Sequence, residues 1–269
     1  MRYEAELRKA AEHVRLLGYQ PAYIALHGSQ NYGLALDLPE YRSDYDSKCM
    51  VIPSLWSLAA EEKPVSRTVE YEDGQIDIRD IRLFAQSAAK CSLAALESLM
   101  TENAMILVGE KEIQQMRALV PELLRQQPER FAKACRGGFY DKEKKLCHPF
   151  PAAMEKIRAY GYDGKQAHHM YRLLLMLREF EASGSMRLVP PEEEAVLLLD
   201  LKLGKISLQD VRGMIEKWKR EMQCLYQKVC ARHPERTFED GADVEIVRLA
   251  RQAVYEHIMN ACKLDGNGL

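Results

Sequence analysis

The feature that most constrains the fold of this sequence is a change in its hydrophobic pattern near residue 81. Before that point, short apolar runs alternate with turn residues, and the runs at 23–27, 45–52 and 75–81 are predicted as strands. After it, nearly every segment carries apolar residues at helical spacing between breaks at proline and glycine. We therefore predict an α+β chain, a small mixed sheet with helices followed by a mostly α-helical region, with domains at 1–110 and 111–269.

Composition narrows the class of protein. The chain has 269 residues, 47% of them hydrophobic, which is enough for a sizeable core. No run approaches the ~20 apolar residues of a membrane helix, and the first residues mix acid with base, unlike a secretory signal. A cytoplasmic protein without a membrane partner is expected. The seven cysteines form no CxxC pair, so neither a disulfide framework nor a zinc ribbon is indicated.

The first candidate site feature is Gly28-Ser29, which follows the apolar run at 23–27 directly. Glycine allows a phosphate to approach the backbone closely, and serine supplies a hydroxyl donor. If a helical turn begins there, its free N–H groups also point at the anion. By itself the pair is equally typical of an ordinary turn after a strand, so it needs support from elsewhere in the chain.

The second feature is the carboxylate pair Asp44 and Asp46, which leads into a hydrophobic strand. Residues two apart in a strand project to the same face, so both carboxylates would point at one spot. Two neighbouring acids repel unless a cation lies between them, and Mg²⁺ prefers such oxygen ligands together with substrate phosphates. The alternative is that both acids are simply solvated at the entrance of the strand.

A third acid would complete the chemistry. Asp77 lies in the strand predicted at 75–81, and three carboxylates beside a phosphate-binding turn can hold two metals and activate a hydroxyl. Asp80 is an alternative to Asp77. It is also suited to cap the helix that begins near Ile81.

These segments together resemble a known superfamily. The runs 27–34 (HGSQNYGL) and 43–46 (SDYD) are similar to the signature of the nucleotidyltransferases typified by DNA polymerase β, and more narrowly to the bacterial and phage predicted nucleotidyltransferases with a GSxxYGL…SDYD pattern. The run 80–84 (DIRLF) loosely matches the DLRKF-like helix start of that family. The resemblance implies a polymerase-β-like nucleotidyltransferase fold for the N-terminal domain.

The resemblance continues in the helical half, where 162–174 is similar to the family's YDxKxAxHxxRLL helix. Lys165, His169 and Arg172 fall at i, i+4 and i+7 and so share one helix face that can meet a triphosphate or an acceptor. His168, at i+3, is an alternative to His169. Without the resemblance, this face would be taken as a solvated basic stripe.

The resemblance implies an enzyme that transfers a nucleoside monophosphate to a hydroxyl with release of pyrophosphate. AMP from ATP is the expected group and donor. Gly28 and Ser29 would bind phosphates, while Asp44, Asp46 and Asp77 would hold Mg²⁺ or Mn²⁺. One departure from the family pattern concerns the assignment of the third acid. Alignment on Phe84 places a glutamine at position 75, where the family often has an acid.

The sequence leaves the acceptor open, since an RNA end, a small molecule and a protein side chain all remain, although the net charge of −2 mildly disfavours a long nucleic acid. It leaves the oligomeric state open as well. The alternative function is a catalytically weak or inactive nucleotide-binding or regulatory module of the same fold, similar to an antitoxin.

Overall fold

A computed structural model describes residues 3–38, 41–71, 74–108, 110–232 and 241–266. It is an α+β structure in which a small mixed sheet lies in the N-terminal part, as predicted, and helices make up most of the rest. Among the described helices, none combines the length and the apolar character needed to cross a membrane.

Five of the strands form one sheet in the order β5-β6-β4-β1-β7, and β2 pairs with β3 separately. Within the sheet, β4 runs antiparallel to β1 and parallel to β6. The strands are β1 (Gln20–Leu26), β2 (Asp37–Leu38), β3 (Tyr41–Arg42), β4 (Ser47–Ile52), β5 (Ser66–Tyr71), β6 (Gly74–Asp80) and β7 (Ile106–Val108).

The α-helices precede, interrupt and follow the sheet along the chain. They are α1 (Glu4–Leu16), α2 (Leu55–Ala59), α3 (Ile81–Ala89), α4 (Leu93–Leu99), α5 (Lys111–Gln126), α6 (Pro128–Lys145), α7 (Met154–Tyr160), α8 (Gly164–Ser183), α9 (Glu192–Lys202), α10 (Leu208–Ala231) and α11 (Ala242–Gly266).

One face of the sheet packs against α1. The helix buries Leu7, Ala10, Ala11 and Val14, which recur at helical spacing, and acids in its first turn favour the positive end of the helix dipole. The core that they enter contains alternate residues of the strands, such as Ile24 of β1. This packing fixes which side of each strand is left to face α4.

The opposite face of the sheet meets α4. The hydroxyl of Tyr23, one position before Ile24 in β1, donates a hydrogen bond to the backbone carbonyl of Ser98 in that helix. Tyr23 is almost fully buried, and burial raises the pKa of its phenol, so the hydroxyl stays protonated as a donor. Strand residues that share this face are therefore the ones able to build a site beside α4.

The chain forms two compact units. The first comprises Met1–Leu123 and Thr237–Leu269, and the second comprises Leu124–Arg236. In the first unit the C-terminal helix α11 packs on α3. The domain division predicted at 110/111 stays a prediction.

The second unit is built around α8, which packs against α6, α9 and α10 and is buried on most of its circumference. Asp163 caps the start of α8 by accepting a hydrogen bond from the backbone N–H of Lys165 at 3.1 Å. The next residue must be glycine, because a Cβ on Gly164 would lie 2.2 Å from the backbone oxygen of Leu201 in α9. The helical character predicted for this region is confirmed.

Candidate active site

The turn at Gly28 follows the end of β1. Its backbone has a φ of 68°, in the left-handed region that glycine adopts without strain. The next residues close a helical turn, in which the N–H of Tyr32 donates to the carbonyl of Gly28 at 3.2 Å and the N–H of Leu34 donates to the carbonyl of Ser29 at 2.9 Å. The strand-to-turn transition predicted at Gly28-Ser29 is therefore present.

Two side chains of this turn are tied to α4. The amide of Asn31 donates to the hydroxyl of Thr101 just after that helix at 2.9 Å, and the hydroxyl of Tyr32 donates to the carboxylate of Glu97 at 2.8 Å. Glu97 is 3% exposed, so this hydrogen bond lies out of water, where it counts for more than at the surface. These two hydrogen bonds therefore anchor the turn that contains Gly28 and Ser29 to α4 and the residue that follows it.

Asp46 lies next to the turn. Its backbone carbonyl accepts a hydrogen bond from the N–H of His27 at 2.8 Å, which continues the pairing of β1 with β4. A Cβ added to Gly28 would stand 3.7 Å from Oδ2 of Asp46, while Oδ1 accepts from the N–H of Gln75 at 3.2 Å. The structure therefore brings Gly28 and the Asp46 carboxylate together.

Asp44 lies just outside β4 and is exposed. It lines an open cavity of about 710 Å³ together with Tyr45, Glu70 and Gln75, which belong to the adjoining loop and strands. Both aspartates precede β4, which begins at Ser47; Asp46 was predicted to lie within the strand at 45–52, and Asp44 just before it. Asp44 thus borders a space large enough for a small ligand, whereas Asp46 lies beside the Gly28 turn.

Asp77 is not gathered with the other two acids. In the parallel register of β4 and β6 it lies opposite Lys48, whose ammonium is 3.1 Å from the carboxylate, and Nε of Arg79 is 3.3 Å away. Among the described residues, no three histidine, cysteine or acidic side chains are grouped so that they could hold a metal ion. The three-carboxylate arrangement expected from the sequence is therefore absent from this part of the chain.

Asp80, the alternative third acid, is a helix cap. Its carboxylate accepts from the backbone N–H of Arg82 at 2.8 Å and from Nε and Nη2 of the same residue at 2.9 and 2.6 Å. The capping role weighed for Asp80 in the sequence is the one it has here.

The second unit carries the other predicted residues on α8. Lys165 is exposed and Arg172 is buried. Burial, followed by the positive charge of Arg172 and neighbouring groups, holds the pKa of His169 well below its usual value. His169 is therefore neutral near pH 7 and has a ring N–H to offer instead of a charge.

His168, the alternative to His169, has a structural partner. Its Nδ1 lies 2.9 Å from the backbone carbonyl of Leu198 in α9, and burial lowers its pKa to about 4. A neutral ring whose Nδ1 donates to that carbonyl fits this geometry. This assigns His168 to the packing of α8 on α9.

Sequence reasoning missed several residues near the predicted positions. Glu97 and Thr101 anchor the turn, and Lys48 neutralises Asp77, but none lies in a recognisable motif. In the helical unit, burial and the charges of nearby lysines, Lys145 first and Lys165 after it, lower the pKa of Lys142. Lys142 therefore lies near the basic face of α8 that carries Lys165, a proximity that the sequence alone does not reveal.

Comparison with known proteins gives little beyond this geometry. No family model and no curated protein matches the sequence. A solved structure of a nucleotidyltransferase-like protein from Exiguobacterium sibiricum 255-15 aligns with 94% of this chain and 90% of its own, at 10% sequence identity and a TM-score of 0.31. The case for a function therefore rests on the residues of this chain.

Proposed function

We propose that the first unit is a metal-dependent nucleotidyltransferase. It would bind a nucleoside triphosphate, with ATP as the first candidate, and transfer the nucleoside monophosphate to a hydroxyl acceptor with release of pyrophosphate. The observation that carries the proposal is the meeting of the left-handed turn at Gly28 with the carboxylate of Asp46, 3.7 Å from where a Cβ on that glycine would stand. A backbone open to a phosphate thus lies beside an oxygen ligand for a cation.

The donor set suits one divalent cation. Mg²⁺ is commonly held by one or two carboxylates, with waters and substrate phosphates completing its shell, and Mn²⁺ accepts the same oxygen ligands. Asp46, half-buried beside the turn, and Asp44, exposed beside the open cavity, are the residues that would hold it. When bound, the cation supplies positive charge against the phosphates.

In the proposed reaction, the acceptor oxygen forms a bond to the α-phosphorus. The bond from that phosphorus to the bridging oxygen breaks, and pyrophosphate carries away the electron pair. Gly28 allows the close approach of a phosphate, and Ser29 donates its hydroxyl. These are contributions of position and charge, on which phosphoryl transfer mainly depends.

The acceptor proton is the weak point of this site. Asp77 was predicted to accept it, but its carboxylate is held between Lys48 and Arg79. If the proton passes to solvent instead, the loss of a positioned base costs about 10²- to 10⁴-fold in rate. We therefore expect slow transfer. The phosphate-binding role predicted for Lys165, His169 and Arg172 stays a prediction.

The test is transfer of label from ATP labelled at the α-phosphate, with Mg²⁺ or Mn²⁺, to RNA ends, small hydroxyl compounds and proteins. The double variant Asp44→Asn, Asp46→Asn keeps side-chain size and removes the charges, and Asp37→Asn is the matched control because Asp37 is also exposed in the first unit. We expect transfer by the wild type and the control only. Equal transfer by the double variant rules out the proposed site.

A second function is supported by one observation: the backbone of Gln75, not an acid, adjoins Asp46. A glutamine in place of a third acid at this position fits a module that binds the nucleotide but does not catalyse its transfer. Calorimetry separates the two functions, since Mg²⁺-dependent ATP binding without transfer to any acceptor supports the module. Gln75→Asp is the complementary variant, and a gain of transfer in it would show that the missing acid limits the chemistry.

A further inference from the structure

A second cavity of the first unit lies away from the Gly28 turn. It is a cavity of about 660 Å³ at the opposite end of the sheet, where β1 begins at Gln20 and where β4 and β6 end at Ile52 and Asp80. Cavities of this size hold small molecules. Because the Gly28 turn and Asp46 lie at the other ends of β1 and β4, this cavity is separate from the proposed nucleotide site.

The walls of the cavity are mixed, with somewhat more apolar than polar surface. Ile52 and Pro53 contribute the end of β4, Val65 leads into β5, and α11 adds Ile258 and Ala261. Transfer of apolar ligand surface from water to the apolar part of such walls is favourable. The cavity therefore favours a ligand with an aliphatic or aromatic body over a fully polar one.

A fixed guanidinium forms part of the lining. Arg82 is held by two side-chain hydrogen bonds to Asp80, whose carboxylate is 3% exposed, while the arginine side chain itself is 30% exposed. The pairing raises the pKa of Arg82, so its charge is permanent. Since Nε and Nη2 bind Asp80, the remaining N–H groups are oriented in advance for another oxygen acceptor.

The other charged groups of the lining add a second donor. Lys63 is exposed at the cavity and forms no ion pair among the described residues. Glu62 also lines the cavity, but Asp80 is already engaged by Arg82. Two carboxylates and two cations thus line the cavity, and the charged donors left to a ligand are Lys63 and the remaining N–H groups of Arg82.

We infer that this cavity is a second binding site of the first unit, for a small molecule that combines an apolar or aromatic body with a carboxylate. The body lies against Ile52, Val65 and Ile258, and the carboxylate accepts hydrogen bonds from Arg82 and Lys63. The nucleotide is a poor fit here, because a triphosphate would require several cations where the lining supplies two.

The experiment titrates naphthoate into the full chain by calorimetry, with the uncharged naphthalenemethanol as the comparison ligand. Ala261→Trp fills the cavity from an exposed helix position. Ala118→Trp is its control because Ala118 is also exposed on a helix of the first unit and lies outside the cavity. Lys63→Gln is matched by Lys90→Gln, which removes an exposed lysine elsewhere in that unit.

We expect saturable naphthoate binding that Ala261→Trp weakens by about tenfold or more, while Ala118→Trp leaves it unchanged. Lys63→Gln should weaken it about threefold, and naphthalenemethanol should bind more weakly than naphthoate. The inference is overturned if naphthoate fails to saturate the wild type below about 10 mM, or if both tryptophan variants bind it alike. ATP binding by Ala261→Trp should equal that of the wild type, so a failure here is distinguishable from failure of the proposed nucleotide site.

Discussion

Substitution of Gly28 by alanine tests the proposed phosphate turn, and Gly18 provides a matched control. Both glycines lie in the first unit and have left-handed backbones, with φ of 68° and 84°. An alanine there costs about 1 to 2 kcal/mol of backbone strain, and reduced freedom of the unfolded chain offsets about 0.5 kcal/mol of it. Gly18→Ala and Gly28→Ala should therefore each lower the free energy of unfolding by about 1 kcal/mol in a urea titration.

The two variants should differ in their affinity for nucleotide. A Cβ at Gly18 meets nothing within 4 Å, whereas one at Gly28 stands 3.7 Å from Oδ2 of Asp46, an ordinary contact that the fold tolerates but that occupies the space where a phosphate would approach. We expect the affinity for ATP with Mg²⁺ to fall at least about tenfold, or 1.4 kcal/mol, in Gly28→Ala only. Calorimetry measures it, and equal affinities in the two variants would refute the assignment of the turn.

The remaining predictions concern stability. Asp77→Asn should lower the free energy of unfolding by about 1 to 2 kcal/mol through loss of the Lys48 pair, yet change ATP affinity less than about twofold, which unfolding and calorimetry check together. Because the pKa of His168 is lowered from 6.5 to about 4, the contribution of its neutral ring to the free energy of unfolding is complete above pH 6.5. That contribution, about 3 kcal/mol at most, is lost as the pH falls towards 4. In urea titrations at several pH values, His168→Asn should therefore show a smaller loss of unfolding free energy at low pH than the wild type. Gly164→Ala should lower the unfolding free energy by about 3 kcal/mol because its Cβ would lie 2.2 Å from a backbone oxygen of α9, whereas Gly137→Ala, with nothing within 4 Å, should be neutral or stabilising.

Much of the sheet could be predicted because its central strands are apolar. β1 and β4 are almost continuously buried, and β6 alternates buried and partly exposed residues, so both patterns are visible in the sequence. β5 was missed because its first three residues, Ser66 to Thr68, are exposed and polar, and β7 because it is only three residues long. Edge strands carry a weak pattern since one side of each lacks a neighbour.

The contacts around the candidate site could be predicted only where they follow from neighbouring strands. Gly28 and Asp46 meet because β1 and β4 pair as neighbours, although residues 27–46, with β2 and β3, connect them. The anchor Glu97 is 65 residues from Tyr32, and no spacing rule predicts a contact at that distance along the chain. Long-range contacts of this kind follow from packing of α4 on the sheet, which local periodicity does not contain.

The register of β4 and β6 decides what chemistry the proposed site can perform. In a parallel pair a shift of two residues keeps a side chain on the same face but moves it two positions along the strand, so an acid at 75 would lie beside Asp46, whereas the acid at 77 lies beside Lys48. The Asp77 carboxylate is thus paired with the ammonium of Lys48 at 3.1 Å instead of lying beside Asp46. In the proposed site, phosphate binding would depend on Gly28 and Asp46 and would be unaffected by this shift. The proposal therefore predicts that nucleotide binding and proton removal are separable, and that Gln75→Asp acts on the second alone.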